Sequence, residues 1–385
     1  MKSANKGEWS ELYAFIKLLR DGKIYAADEN VHRLENIYFP IIKLIREENN
    51  DMVDYYTGRT IKIYADDVLI DEIENQELDN PVNILYKKIF DGGEDRTFRI
   101  EEAEKIMETL HLTKIKAPSK DKKDLTIQIH DINTGYEPIV GFSVKSDIGS
   151  APTLLNAGKN TRFTYKIYGI DDNDMHEINS IDKSCMKDYM IARVNRMFEV
   201  ATSVEYVSMK DDTFEDNLVM IDSKMPELYG NMILIHYRYI NDKIYDIESL
   251  CEIIKSENPI EYRNVNAYRY KIKKLLCAAA LGMTPGKKWD GLDNASGGYI
   301  IIKRDGDIVC YHLYNRNFFE EYLIRNTQFD RPSASKHDFG YVYKIGDEYF
   351  IDLNVQVRFK KIKAVQRDDK AKMQAYADGV RKARK

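Results

Sequence analysis

The sequence predicts a mixed α/β protein of the α+β kind, with a central mixed β-sheet flanked by helices. Three observations predict it: a cluster of β-like runs between residues 125 and 168, helical periodicity at the start and across the third quarter of the chain, and two hairpin signals near the end. With 385 residues, the chain can bury a substantial core and form two or three domains. Hydrophobic residues at 43%, with 27 Tyr and 14 Phe, exclude bulk disorder.

From the start, Glu8 to Arg20 reads as an amphipathic helix with Leu12, Phe15, Ile16 and Leu19 on one face, and a second helix is expected over Val31 to Arg46. Thr60 to Ala65 reads as a strand, followed by helices near Pro81 to Phe90 and over Ile100 to Leu110. Lys116 to Lys123 is a polar, turn-rich junction. Strands are expected at Leu125 to Asp131, Val140 to Ser146 and Arg162 to Tyr168, then helices over 184–200, 214–240, 245–256 and 266–283. Tyr299 to Tyr314 reads as a hairpin turning at Asp305-Gly306, residues 317–325 as a helix, and Tyr341 to Phe359 as a second hairpin turning at Gly346-Asp347. These elements suggest four segments: a helical region at 1–118 that contributes a helix to the site, core strands at 119–210, a helical region at 211–298, and hairpins with a basic tail at 299–385.

No apolar run approaches the roughly 18 residues a membrane span needs, and the opening lacks a signal-peptide core, so a cytoplasmic location is expected and no membrane partner. Cys185, Cys251, Cys277 and Cys310 lie far apart without zinc-type spacing and read as buried thiols. Charge is uneven. Residues 356–385 hold eleven Lys and Arg against three Asp, while the rest of the chain carries 47 basic and 60 acidic residues. An acidic body does not suggest a nonspecific DNA coat but allows contact through local basic patches, or a site that collects cations.

Chemistry gathers in GFSVKS. A period of two puts Gly141, Ser143 and Lys145 on one face of a strand that otherwise reads as buried. An ammonium there needs an anionic partner. The preceding strand ends in His130-Asp131, and Glu8 and Glu11 stand three apart on the first helix. Carboxylates from a strand end and a helix, with a strand lysine, are what Mg²⁺-dependent phosphodiester cleavage requires: oxygen ligands hold the cation and the lysine orients water or stabilises charge. His130 and His312 fall in no catalytic arrangement and read as structural.

The segments KGEWSELY (6–13), HDINTGYEPIVGFSVKSDIGSAPTLLNAG (130–158), CYHLYNRNFFEEYLIRNTQFDRPSASKH (310–337) and LNVQVRF (353–359) resemble the HpaII family of type II restriction endonucleases. The resemblance implies a restriction-endonuclease-like core of the PD-(D/E)xK type. Matched to that motif, Asp131 takes the first acidic position and Lys145 the lysine, while Ser143 stands where the second acid usually stands. Serine is a poor Mg²⁺ ligand, so the missing charge falls to Glu11, with Glu8 next and Glu137 a further candidate; the expected metal ligands are Asp131 and Glu11. A geometric condition follows. A hairpin turning tightly at Asn133 to Tyr136 would set Asp131 opposite Ile139, roughly 13 Å from Ser143 at about 3.3 Å per residue, so the site needs a loop over 132–140 instead.

For recognition, Ile351, Leu353, Val355 and Val357 alternate with Asp352, Asn354, Gln356 and Arg358, giving the last strand an amide- and guanidinium-rich face able to read bases. Any half-exposed strand alternates in this way too. Asn315 and Arg316 open a helix, and Ser335 and Lys336 lie in a polar loop with Ser333 and His337; both segments suit phosphate contact. Asn156, with Ser150 and Thr153, follows the lysine strand and could clamp the backbone. The resemblance implies cleavage of double-stranded DNA at CCGG after the first cytosine, with Mg²⁺, and a palindromic site implies a homodimer. Two alternatives stay open: a nuclease of the same fold acting in repair or on modified DNA, and a non-catalytic DNA-binding module.

Overall fold

A computed structural model of the chain describes residues 2–92, 96–116, 123–132, 134–182, 184 and 188–361. The basic tail from residue 362, most of the 116–123 junction and Cys185 lie outside these residues. The chain divides into two compact units that interleave along the sequence: one takes residues 1–151, 295–319 and 361–385, the other 152–294 and 320–360. The four consecutive segments read from the sequence therefore regroup, because strands from residues 298–312 return to the first unit.

The first unit begins with the helix Lys6–Asp21, started by a reciprocal cap in which Asn5 and Glu8 each accept the other's backbone N–H. It stops at Gly22, whose φ of 61° suits glycine. Trp9, Leu12, Phe15, Ile16 and Leu19 are buried from this helix, the face expected from periodicity. They pack with Ile127, Ile129, Phe142, Val144, Ile300 and Ile302 of the sheet.

That sheet has nine strands in the order Lys23–Ala27, Ile308–His312, Gly298–Ile302, Ile139–Ser146, Leu125–Ile129, Arg33–Glu48, Asp51–Tyr56, Thr60–Ala65, Val68–Glu74. Two pairings are parallel, Gly298–Ile302 with Ile139–Ser146 and Ile308–His312 with Lys23–Ala27. Lys23–Ala27 also pairs with Arg33–Glu48, so the strand order runs back on itself. At Gly298 (φ 104°) a Cβ would fall 2.0 Å from the Tyr311 carbonyl oxygen, so only glycine lets the return strand start there. The helices Asp79–Asp91 and Glu101–Thr109 match expectation.

Arg33–Glu48 corrects the helix expected over Val31 to Arg46. Its apolar residues mimic helical spacing, but Pro40 would break a helix interior. As a strand it buries Phe39, Ile41 and Leu44, with a register shift between Ile41 and Lys43 that explains the uneven period.

The second unit holds a four-stranded antiparallel sheet, Ser203–Met209, Phe163–Tyr168, Glu348–Leu353, Val342–Ile345, and a three-stranded one, Thr153–Leu155, Gln356–Phe359, Thr327–Asp330. Helices Asp172–Ser180, Tyr189–Val200, Ile247–Glu257 and Asn266–Leu281 surround them, and Arg316–Asn326 carries the chain in. The pattern over 214–240 is two helices, Asp212–Ile221 and Met225–Arg238, broken where Pro226 starts the second. The Ser203–Met209 strand went unread. Cys251, Cys277 and Cys310 are buried, as expected. Among the described residues, no helix is long and apolar enough to cross a membrane.

Candidate active site

Leu125–Ile129 and Ile139–Ser146 form an antiparallel hairpin with Leu125 paired to Phe142 and Gln128 to Ile139. One step beyond, Asp124 faces Ser143, and its backbone N–H donates to the Phe142 carbonyl (2.8 Å). The Asp124 carboxylate reaches across: Oδ2 accepts from the Val144 N–H (2.8 Å) and from Ser143 Oγ (3.1 Å). Lys145 Nζ in turn donates to Ser143 Oγ at 2.9 Å. The strand's alternation thus delivers Ser143 and Lys145 to one place, as read from GFSVKS, and Asp124 joins them from the partner strand.

Glu11 completes the cluster from the opening helix. Lys116 Nζ lies 3.1 Å from Glu11 Oε1 and 3.6 Å from Asp124 Oδ1. The other Glu11 oxygen, Oε2, is buried and makes no hydrogen bond among the described residues. Burial, and then the Asp124 charge, push the Glu11 carboxyl up to about 7 against the pull of Lys116. Burial also pushes the Lys145 ammonium down, opposed by Asp124 and Glu11. The Lys145 ammonium additionally lies 5.2 Å from the Tyr299 ring centroid.

Among the described residues, no three His, Cys, Asp or Glu side chains gather as a ready metal cluster. A pair of carboxylates is nonetheless the protein share that a Mg²⁺ ion uses, the rest being water and substrate phosphate oxygens. The unpartnered Glu11 Oε2, with Asp124 beside it, is a donor set of that type. It fits a hard divalent cation.

Asp131 is a correction. The hairpin does turn tightly, which is the arrangement that removes Asp131 from the cluster. Its backbone N–H donates to the Tyr136 carbonyl (2.8 Å), its own carbonyl accepts from Gly135 (2.8 Å), and its Oδ2 accepts from Thr134 Oγ1 (2.7 Å). It shapes the turn at the end of the hairpin opposite Ser143. Glu8 is a correction too, since its carboxylate accepts the Asn5 N–H at 2.9 Å as the helix cap. Glu137 is exposed and pairs with His130 Nδ1 at 3.1 Å. His312 is buried, which pushes its imidazole down to about 4. Asp124 and Lys116 are the residues sequence reasoning missed. Counting back from a tight turn would have signalled Asp124, because it brings the start of the first strand near Ser143.

The residues expected to meet DNA are spread over both units. Asn156 is exposed, Arg316 is exposed at a helix start, and Ser335 and Lys336 are exposed on the short helix Ala334–His337; the side chain of Asn315 lies outside what is described. The alternating strand is interrupted. Asp352 is buried and accepts from Thr164 Oγ1 and Tyr343 Oη, both at 2.9 Å, and the fully buried Asn354 donates to the Gly158 carbonyl at 2.8 Å. Only Gln356 and Arg358 keep a half-open face.

The family model described as HpaII restriction endonuclease matches residues 5–359. The type II restriction enzyme HpaII of Haemophilus parainfluenzae is 38% identical over 367 residues, which cover 93% of this chain and 98% of that one. No solved structure matches. The family match over residues 5–359 and the 38% identity over 93% of the chain place the protein in the HpaII restriction endonuclease family, as a type II site-specific deoxyribonuclease that binds and cuts DNA.

Proposed function

We propose that the enzyme cuts double-stranded DNA at CCGG after the first cytosine, with Mg²⁺, as a homodimer in the cytoplasm. The observation that carries the catalytic part is the meeting of Glu11, Asp124, Ser143 and Lys145 around an unpartnered carboxylate oxygen. Glu11 and Asp124 would hold the cation, whose charge would supply polarisation of the scissile phosphate and a lower pKa for attacking water. Lys145 brings its ammonium to the developing phosphate charge and orients the water. Ser143, bonded to both Asp124 and Lys145, keeps the lysine aimed and replaces the usual second acid as a positioning group. Lys116 balances the charge of the two carboxylates.

The CCGG sequence comes from the family resemblance, and a two-fold symmetric site suits a two-fold symmetric enzyme. Incubating the protein with plasmid and Mg²⁺ tests the whole reading. Discrete fragments ending at CCGG, abolished by EDTA, are the expected result. Fragments ending elsewhere would point to a nuclease with another task, and binding without cutting to a DNA-binding module. Sedimentation of the protein with a CCGG duplex checks for two chains per site.

A further inference from the structure

In the three-stranded sheet of the second unit, the central strand Gln356–Phe359 buries Val357 and Phe359 and leaves Gln356 and Arg358 half-open. Its neighbour Thr327–Asp330 buries Thr327 and Phe329 and leaves Gln328 and Asp330 on the same side. The register sets Asp330 opposite Gln356, and Gln328 opposite Arg358, which also faces Thr153. One carboxylate oxygen ties this face together. Asp330 Oδ2 accepts from Gln356 Nε2 at 2.7 Å and from Arg358 Nη1 at 3.0 Å. The other oxygen, Oδ1, accepts the Arg331 backbone N–H at 3.0 Å, which pins the carboxylate in place. The Arg358 Nε is buried and has no hydrogen-bond partner among the described residues.

An aspartate has no donor to offer, so Gln356 must turn its NH₂ toward Asp330 and its Oε1 away. The amide is thereby fixed as an outward acceptor. The guanidinium is fixed by the same oxygen, and with Nε buried it is the terminal Nη groups that remain to meet a ligand. An outward acceptor beside an outward fork suits a G·C pair: Arg reads guanine O6 and N7, and the amide oxygen takes the cytosine N4 amino group. Phosphate contact alone would not need an acid on this face, because a carboxylate repels the backbone.

We infer that Asp330 is a specificity-determining positioning residue, ordering Arg358 and Gln356 as one reading unit for a G·C pair before DNA arrives. The inference rests on the reading of the enzyme as specific for CCGG. Asp330→Asn removes the charge and frees both side chains to rotate. Binding is measured with Ca²⁺ on a CCGG duplex, on a duplex with one pair replaced, and on a random duplex, alongside cleavage kinetics with Mg²⁺ and thermal melting. Asp330→Asn is expected to lower discrimination at least tenfold and raise KM with kcat nearly kept. Random-duplex affinity should be equal or higher and melting unchanged, and adding Asp330→Asn to the Arg358→Ala, Gln356→Ala double variant should cost nothing more. Asp330→Glu, which keeps the carboxylate, should recover part of the discrimination.

Discrimination intact in Asp330→Asn but lost in Arg358→Ala overturns the role of Asp330 and leaves the recognition strand standing. Discrimination intact in both Arg358→Ala and Gln356→Ala overturns the reading unit itself. A parent enzyme without preference for CCGG overturns the specificity reading together with this inference. Equal loss of specific and random binding, in step with lower melting, marks Asp330 as structural only and overturns it as well.

Discussion

Glu11 and Asp124 share the ammonium of Lys116, which stands 3.1 Å from one carboxylate and 3.6 Å from the other. A helix and a strand thus bring two like charges together, and a half-exposed lysine balances them. The lysine occupies the electrostatic position that a divalent cation would take.

Replacing Lys116 with alanine should therefore strengthen divalent-cation binding by the DNA-free protein. A half-exposed ion pair is worth about 0.5 to 1 kcal/mol, so the gain is about two- to fivefold. Titration calorimetry with Ca²⁺ reads it directly, and weaker binding by Lys116→Ala would count against a shared cation position.

The Glu11 carboxyl titrates at about 7 in the folded protein against an ordinary value of 4.5. The folded state then holds that proton more tightly than the unfolded state does. Cation-free protein should lose stability as pH rises from 4.5 to about 7 and level off above. Glu11→Gln should remove this slope and raise cation-free stability at pH 8 by about 1 to 3 kcal/mol. For the same reason, cleavage at subsaturating Mg²⁺ should climb to about pH 7 and then flatten. Melting curves at several pH values and a pH–rate profile are the checks; a stability slope of opposite sign would refute the assignment.

Asp124 and Asp131 sit at opposite ends of one hairpin, and their alanine variants separate two accounts of the site. Asp124→Ala should reduce cleavage by a factor of about 10³ or more. Asp131→Ala should retain most activity and lose about 0.5 to 2 kcal/mol of stability with its turn hydrogen bond. Activity assays and melting on both proteins decide between them, and the reverse ranking would restore Asp131 to the centre.

Lys145→Ala should abolish cleavage, by about 10²- to 10³-fold or more, while CCGG binding in Ca²⁺ persists. Single-turnover cleavage and a binding titration on one preparation measure both. An active Lys145→Ala enzyme would remove the lysine from the mechanism.

Much of the first unit was legible because it follows local rules. The opening helix shows its apolar stripe and its Asn5–Glu8 cap, and alternation in GFSVKS already places Ser143 and Lys145 on one face. Asp124 was not legible, because its place depends on hairpin register, which a turn at residues 131–136 sets from the far end. Lys116 was hidden in a polar connector whose meaning is purely tertiary. Asp352 and Asn354 share the period of Gln356 and Arg358, yet the chain changes sheets between them, an event no periodicity records. Arg33–Glu48 misled through apolar spacing that a strand with a register shift also produces.

The lysine-bearing strand Ile139–Ser146 receives its second neighbour only from Gly298–Ile302. During synthesis the whole stretch 152–294 must leave the ribosome before that edge is covered. Until then the nascent chain carries an incomplete sheet with a bare backbone rim. A polypeptide interrupted anywhere in that interval holds Glu11, Asp124 and Lys145 without the strand Gly298–Ile302 that pairs beside Ser143 and Lys145.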